Sequence, residues 1–478
     1  MNAAIAAASA AVAGAWVGEQ IGPGDGHAPF LASLAIALVA SALPGSARRA
    51  AIVSVGVALV ASGCMQRALD GWERHRLPME ETATFEGVLV GDPTARRFST
   101  TALLRVERVA DQAIEDRVVR VRSSADAAML LGPLASGDRA RVTGRLEPLS
   151  GYDERFRWRH AVAVLRVQDL THVRGPTDPL DRVANALRDV VFRGMRGLPA
   201  TERALLAGFL LGDTRALPEE TEDAFRAAGL THLLAVSGAN VAFVLAIARP
   251  ALSRLGRGGQ FCGGLAVVLL VGATTRWEPS VMRAAVMAAL TMWAVYLGRP
   301  QAALRILALA VTALVAIDPF LIHSVGFVLS VGATLGIVTL GPPIHRWLRG
   351  PNWFREGVST TAAAQIATAP VLLMVFGTVP LIAVPANLLA GVVAGPLTTW
   401  GLAASVIGGL VTPIAALAQI PTGWLTRAEL AVADAAAHVP IEVDARGAWC
   451  AVAASAATAL LVRRHRRALL GRSAVGDL

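Results

Sequence analysis

Three apolar runs open the chain, at residues 3–17, 29–43 and 51–64. Each falls short of the roughly twenty residues that cross a bilayer core, so two or three early membrane helices are expected. The period then changes. Residues 83–90, 102–109, 117–121, 140–146 and 162–167 alternate apolar with polar positions, the pattern of half-buried strands. Turn residues separate them: Gly91-Asp92-Pro93, Gly132-Pro133 and Gly137-Asp138. Five such strands predict a small β-barrel.

Beyond the barrel, residues 179–196 are amphipathic. Leu180, Val183, Leu187, Val190 and Val191 share a face with arginines opposite, which predicts an interfacial helix lying on the bilayer. Residues 202–211 form another apolar helix. Apolar runs follow at 230–248, 261–275, 279–297, 304–317, 322–340, 359–375, 380–394, 396–411 and 448–462, with a weaker amphipathic stretch at 424–437. Ten to twelve spans are expected in all. The fold class is a polytopic α-helical membrane protein with an inserted small β-barrel soluble domain. Its expected parts are N-terminal transmembrane helices (1–66), the barrel (78–173), the interfacial helix (178–200), a second transmembrane domain (201–465) and a basic tail (466–478).

Composition agrees. Hydrophobic residues make up 54% of the 478 residues, and the mean hydropathy of +0.53 excludes an ordinary soluble protein. All 44 basic residues are arginine, giving a net charge of +9 suited to cytoplasmic loops, anionic lipid and phosphate. The run RRHRR at 463–467 argues for a cytoplasmic C-terminus. Cys64, Cys262 and Cys450 stand apart without metal or disulfide spacing. The N-terminus lacks a basic region before its apolar run, so it reads as a retained membrane segment.

Polar groups inside the apolar text are the candidate chemistry, because such groups face other helices or a wet cavity. His232, Ser237, Gly238 and Asn240 interrupt the run at 230–248. Arg283 falls a turn inside the helix started by Pro279, and Arg305 is placed similarly. Gln365, Thr368 and Asn387 are neutral hydrogen-bonding groups further on. The competing reading for all the neutral ones is close helix packing. In the soluble part, Tyr152, Phe156 and Trp158 alternate with Arg155, Arg157 and Arg159, a pattern that suits either single-stranded nucleic acid or a headgroup anchor.

The stretch AFRAAGLTHLLAVSGANV (224–241) resembles the signature of the ComEC family of competence proteins, the inner-membrane channels for DNA uptake. EPSVMRAAVM (278–287), DPFLIHSVGFVLSVGATLGIV (318–338) and AAAQIATAPVLLMVFGTVPLIAVPANLLAGVVAGP (362–396) resemble three further blocks of that family, in the same order. The resemblance implies that the barrel is an OB-type domain on the outer face of the cytoplasmic membrane. It also implies a channel that passes single-stranded DNA during natural transformation. Its expected partners are the DNA strand, the lipid bilayer, a cytoplasmic ATP-driven translocase, a DNA receptor, a separate nuclease and a second copy of the chain as a homo-oligomer. Arg283, Arg305, His232, Ser237, Asn240, Gln365 and Asn387 are then the expected path in the membrane. Arg155, Phe156, Arg157, Trp158 and Arg159 are the expected contact in the barrel. One departure is Ala239-Asn240, where the family often has Leu-His: Asn240 keeps hydrogen bonding but does not titrate.

Many members of that family carry a metallo-β-lactamase-like domain, but this sequence has no HxHxDH. Nor has it a P-loop or a GxSxG elbow, and no two of its nine histidines have ligand spacing. No catalytic residue, metal or cofactor is expected. A small-molecule or ion transporter coupled through Asp213 and Asp318 is the alternative, and it predicts inverted repeats that the sequence does not display. An intramembrane enzyme using His232 and Ser237 is a third, disfavoured because residues five apart do not share a helix face.

Overall fold

The computed structural model describes residues 2–42, 46–73, 77–96, 99–110, 112–123, 129–234, 236, 238–439 and 442–444. Ser237, the apolar run at 448–462 and the tail at 466–478 lie outside the described residues.

Helices α1 (Asn2–Ile21), α2 (His27–Ala42) and α3 (Ser46–Glu73) form the N-terminal group. The third outruns its apolar stretch and ends beside the barrel. There the Trp72 indole N–H donates to the Ala161 carbonyl at 2.8 Å.

The strands are β1 (Thr82–Leu89), β2 (Thr94–Arg96), β3 (Ser99–Val109), β4 (Gln112–Ser123), β5 (Arg139–Pro148) and β6 (Ala161–Arg174). Their hydrogen-bonded order runs β1-β5-β6-β4-β3, and β1 pairs with β3 to close the ring. All these pairings are antiparallel except β4 with β6, so five strands form an OB-type Greek-key barrel. The short β2 folds back on β3 as an appendage. Alternation put the right residues inside: Phe85, Leu104, Val119, Val142 and Leu165 are fully buried, whereas Arg141 and Arg166 on neighbouring positions reach solvent.

The helical bundle follows. It contains α4 (Pro179–Gly194), α5 (Ala200–Leu211), α6 (Glu219–Ala227), α7 (Gly238–Leu252), α8 (Arg257–Thr274), α9 (Pro279–Tyr296), α10 (Ala303–Ile317), α11 (Val325–Trp347), α12 (Asn352–Phe376), α13 (Ala383–Leu410) and α14 (Ile420–Ala437). Six described helices are long and apolar enough to cross a membrane: Ala3–Ile21, Ala50–Glu73, Arg257–Thr274, Val325–Trp347, Asn352–Phe376 and Ala383–Leu410. Three shorter apolar helices, His27–Ile36, Asn240–Leu252 and Ala303–Ile317, fall below that length, and the described residues hold fewer full-length spans than the ten to twelve expected.

Helix α4 carries one of its arginines, Arg188, on its buried face. Leu180 and Val183 are exposed, and the buried face consists of Ala184, Arg188, Val191 and Gly194. The helix packs backbone to backbone on α13. A Cβ on Gly194 would lie 1.9 Å from the Ser405 carbonyl oxygen, and one on Gly409 would lie 1.9 Å from that of Val190. Only glycine fits at either position. An apolar period cannot find a buried face centred on an arginine whose partners come from elsewhere in the chain.

Candidate functional site

Barrel and bundle meet at a buried ionic node. Asp92 sits in the tight turn after β1, where Gly91 and Pro93 flank it. Its Oδ2 accepts from Arg188 Nη2 at 2.8 Å. Its Oδ1 accepts from the Ser136 backbone N–H at 3.0 Å and lies 2.7 Å from Arg276 Nη2. The same Arg188 Nη2 donates to Asp213 Oδ2 at 2.8 Å, and Arg215 donates to both Asp213 oxygens at 2.8 and 2.6 Å. Arg188 Nη1 completes its set on the Thr274 carbonyl at 2.7 Å. One guanidinium thus holds together the barrel, α4, the loop after α5 and the end of α8. Arg276 reaches the node from a strained turn, since it and Trp277 both have positive φ (58° and 53°) without being glycine.

Electrostatics favour keeping these charges. Burial is the largest single influence on Asp92 and acts to raise its pKa, but Arg188, Arg276 and the Ser136 amide together outweigh it, and the carboxyl is held below its ordinary value. Asp213 behaves alike: burial opposes its charge, and Arg215 and Arg188 hold it low. Asp213 is therefore an anchor here, not the free coupling carboxylate a transporter would need. Asp318 is also engaged, accepting from the Phe320 backbone N–H at 3.1 Å and lying 3.3 Å from His160 Nε2.

Deeper in the bundle, three of the sequence blocks converge on Arg283. Pro279 opens α9, so Arg283 lies one turn inside it and is 7% exposed. Its Nε donates to Ser330 Oγ on α11 at 2.8 Å. Its Nη1 lies 3.1 Å from Met287 Sδ, a weak acceptor. Gly238, at the start of α7, makes room for the rest of the guanidinium: a Cβ there would lie 3.1 Å from Arg283 Nη2. Among the described residues Arg283 forms no ion pair. A cation so placed carries its full charge and aims it at whatever else occupies the bundle.

None of the other expected path residues among the described ones hydrogen-bonds to Arg283. Asn240 Nδ2 donates to the Phe209 carbonyl at 2.6 Å, fastening α7 to α5. Ser280 Oγ donates to the Val236 carbonyl at 2.7 Å, which fixes the segment before Gly238. Gln365 Nε2 donates to the Pro380 carbonyl at 2.7 Å, and its Oε1 is buried with no partner among the described residues. Asn387 bonds its own helix through the Ala383 carbonyl at 2.7 Å. His232 is exposed on the short helix Thr231–Leu234. Arg305 lies in the first turn of α10, exposed, with its Nη1 2.7 Å from Gln301 Oε1.

In the barrel, the 3₁₀ helix Gly151–Arg159 carries the arginine–aromatic pattern. Asp153 is buried and accepts from Arg122 Nη2, which pins the helix to β4. Trp158 faces the bundle, stacked on His323 with ring centroids 3.8 Å apart and edge-on to Phe320 at 5.5 Å. Arg157 lies over the Trp72 ring at 4.3 Å. Arg155 lies over Tyr152 at 3.3 Å and over Phe156 at 5.1 Å, and both Arg155 and Arg159 are exposed. The segment divides: Arg157 and Trp158 hold barrel to helices, and Arg155 and Arg159 face outward.

Sequence reasoning missed Asp92, Arg188 and Arg276. The available signals were an aspartate inside a Gly-Pro turn and an arginine only four residues after Ala184 on a small-residue face. It also missed Glu429, which is fully buried in α14 with neither carboxylate oxygen partnered among the described residues.

Comparison with known proteins agrees with this geometry. The model of the competence protein family matches residues 209–467, a stretch that includes Gly238, Arg283 and Ser330. ComE operon protein 3 of Bacillus subtilis (strain 168) is 24% identical over 271 residues, which cover 54% of this chain and 33% of that relative. The chain thus spans about a third of the length of the curated relative it matches. No solved structure matches it. With more than half of its length matched by the family model and the family's blocks assembled around one arginine, the chain belongs to the ComEC family of competence proteins.

Proposed function

We propose that this protein is a channel passing single-stranded DNA across the cytoplasmic membrane during natural transformation. Family membership supports a role in DNA uptake for transformation. The observation that carries the finer reading is Arg283, a buried guanidinium without an ion-pair partner among the described residues, set where three blocks of the family meet. A polyanion crossing a low-dielectric region needs positive charge along its route, and a carboxylate beside that charge would cancel it. A single cation among neutral amides and hydroxyls attracts phosphate without trapping it. Asn240, Gln365 and Asn387 supply such groups, and Ser237 adjoins Gly238 in sequence. Arg305 belongs to a mouth of the route rather than its centre, and His232 adds a polar group on the segment just before Gly238.

In this reading the barrel stands on the outer face and offers Arg155 and Arg159, with Phe156 beside them, to the incoming strand. Arg157 and Trp158 keep the barrel seated. The C-terminus is cytoplasmic, where an ATP-driven translocase supplies the driving force. A DNA receptor and a separate nuclease deliver the strand, and homo-oligomers are a further state of the assembly. The chemistry of this chain is conduction, not catalysis.

The test is uptake of labelled DNA scored in the cytoplasm of a deletion strain, with and without the gene restored. DNA that stalls outside the inner membrane in the deletion and crosses on restoration supports the channel. Unchanged uptake in the deletion removes it.

A further inference from the structure

A cleft of about 250 Å³ opens between the barrel and the bundle. Pro93 and Gly132 line it from the barrel, Phe192 from α4, Arg203 from α5, and Asp213 and Arg215 from the loop after α5. Its volume lies below the roughly 300–1,000 Å³ of sites that enclose a drug-sized molecule, so any ligand it holds is a small group or part of a larger one. Its walls are largely apolar, and its charged lining residues are Arg203, Arg215 and Asp213. Behind it, three guanidiniums (Arg188, Arg215, Arg276) meet the carboxylates of Asp92 and Asp213, and the Asp181 carboxylate lies close enough to Arg276 to feel its charge. Donors exceed acceptors there: Arg276 Nε and Nη1 are buried with no partner among the described residues. Arg203 brings a positive charge to the cleft itself. It is exposed, and its guanidinium makes no hydrogen bond or ion pair among the described residues.

The position of the cleft is as telling as its charge. Asp213 follows Gly212, and a Cβ on Gly212 would lie 3.1 Å from Val236 Cγ2. Val236 is two residues before Gly238, which borders Arg283. The cleft therefore lies one packed segment away from the arginine in the bundle.

We infer that this cleft binds one phosphodiester unit of single-stranded DNA where the strand leaves the barrel, with Arg203 and Arg215 on the phosphate and Phe192 against the sugar or base. The inference rests on the channel reading above. Arg215 is held rigid by its two bonds to Asp213 and a third from Nη1 to the Pro93 carbonyl at 3.4 Å, so only its remaining Nη hydrogens are left for a phosphate. Arg203 is free to close on the phosphate.

The test uses the full-length chain in nanodiscs of zwitterionic lipid, a fluorescein-labelled single-stranded oligonucleotide, and anisotropy over a salt series. Arg203→Glu is expected to weaken binding roughly tenfold and to lower the slope of log affinity against log salt by about 0.7, the share of one phosphate on a single strand. Arg203→Ala should lower the slope equally with a smaller loss of affinity. Unchanged slope and affinity in both variants would overturn the inference. The same measurement with phosphatidylglycerol in the nanodisc separates DNA from lipid. Binding that persists supports the assignment; anionic lipid that displaces the oligonucleotide from wild type but not from Arg203→Ala gives the cleft to a headgroup instead. Uptake assays on Arg203→Glu and Arg283→Ala in cells separate the two readings. Loss in Arg283→Ala with none in Arg203→Glu removes the cleft and leaves the channel, whereas no loss in either removes both.

Discussion

Arg283 Nε and Ser330 Oγ, 47 residues apart in sequence, lie 2.8 Å from each other. The bond fixes where a buried positive charge points without neutralising it. A hydroxyl accepts from the guanidinium but brings no opposing charge, whereas an aspartate at position 330 would satisfy Arg283 and end its reach. The pair therefore makes an oriented cation.

Ser330→Ala should leave the charge in place but loosen its aim. A hydrogen bond to a charged group contributes about 1.5–3 kcal/mol, so the variant is expected to fold and to show uptake reduced by roughly tenfold. Ser330→Asp should reduce uptake further, despite restoring a partner, because it cancels the charge. Quantifying labelled DNA in the cytoplasm for both variants at matched membrane abundance checks the order; uptake in Ser330→Asp above that in Ser330→Ala would speak against an oriented, uncancelled charge.

Arg188 is expected to govern whether the barrel stays seated. Its removal by Arg188→Ala leaves Asp92 and Asp213 with Arg276 and Arg215 alone. Breaking a buried pair in this way costs about 3–5 kcal/mol. The barrel should become the first part to open, seen as faster proteolysis in the segments flanking it. The node also has a pH signature. Asp92 and Asp213 are held below their ordinary value when folded, so their contribution is present above the unfolded value and disappears as pH falls through the folded ones. Thermal stability should accordingly drop in strong acid and be flat through neutrality for these two groups.

Trp158 tests how the arginine–aromatic segment divides. Trp158→Ala removes the stack on His323 and the edge contact with Phe320. Such aromatic pairs contribute about 0.5–1.5 kcal/mol beyond their buried area. The variant should loosen the barrel against the bundle while oligonucleotide affinity stays within about twofold. Arg155→Ala with Arg159→Ala should do the opposite, weakening affinity and the salt slope with little change in stability. Isotherms and melting curves for the two variants discriminate; a Trp158→Ala protein that melts normally and binds poorly would return Trp158 to the nucleic-acid surface.

Glu429 should make stability fall as pH rises. Burial pushes its pKa from 4.5 up to about 8, and α14 is not among the six helices long and apolar enough to span. A folded value above the unfolded one means that the favourable contribution is complete below about 4.5 and is lost progressively up to about 8. Glu429→Gln, which cannot ionise, should be the more stable protein above that pH and should lack the slope. Melting temperatures between pH 5 and about 9 for both proteins measure it, and parallel curves would show that Glu429 is ionised throughout.

The barrel was legible because alternation survives in each strand taken alone. Val142 and Leu146 inside, with Arg141 and Arg145 outside, need no knowledge of the rest of the chain. Arg283 was legible because one charge stands out in an apolar helix. Arg188 was not. Its partners lie 96 and 25 residues away, and an apolar period puts any arginine on the wet side. Arg305 differs: its text resembles that of Arg283, but it sits at the helix start, where a long side chain reaches out. Trp158 and Arg159 are adjacent in sequence yet face the bundle and solvent respectively, a distinction that only the 3₁₀ turn and its seat on Phe320 and His323 decide.

The measurement that bears most directly on the channel is cytoplasmic arrival of labelled DNA in a deletion strain expressing wild type, Arg283→Ala or Arg283→Lys. Arg283→Ala should accumulate in the membrane at wild-type level and admit little or no DNA, and Arg283→Lys should recover part of the uptake because it keeps the charge and loses only its fixed aim. Uptake by Arg283→Ala equal to wild type would contradict the account, since a strand that crosses without that charge is not passing the place where the three blocks meet.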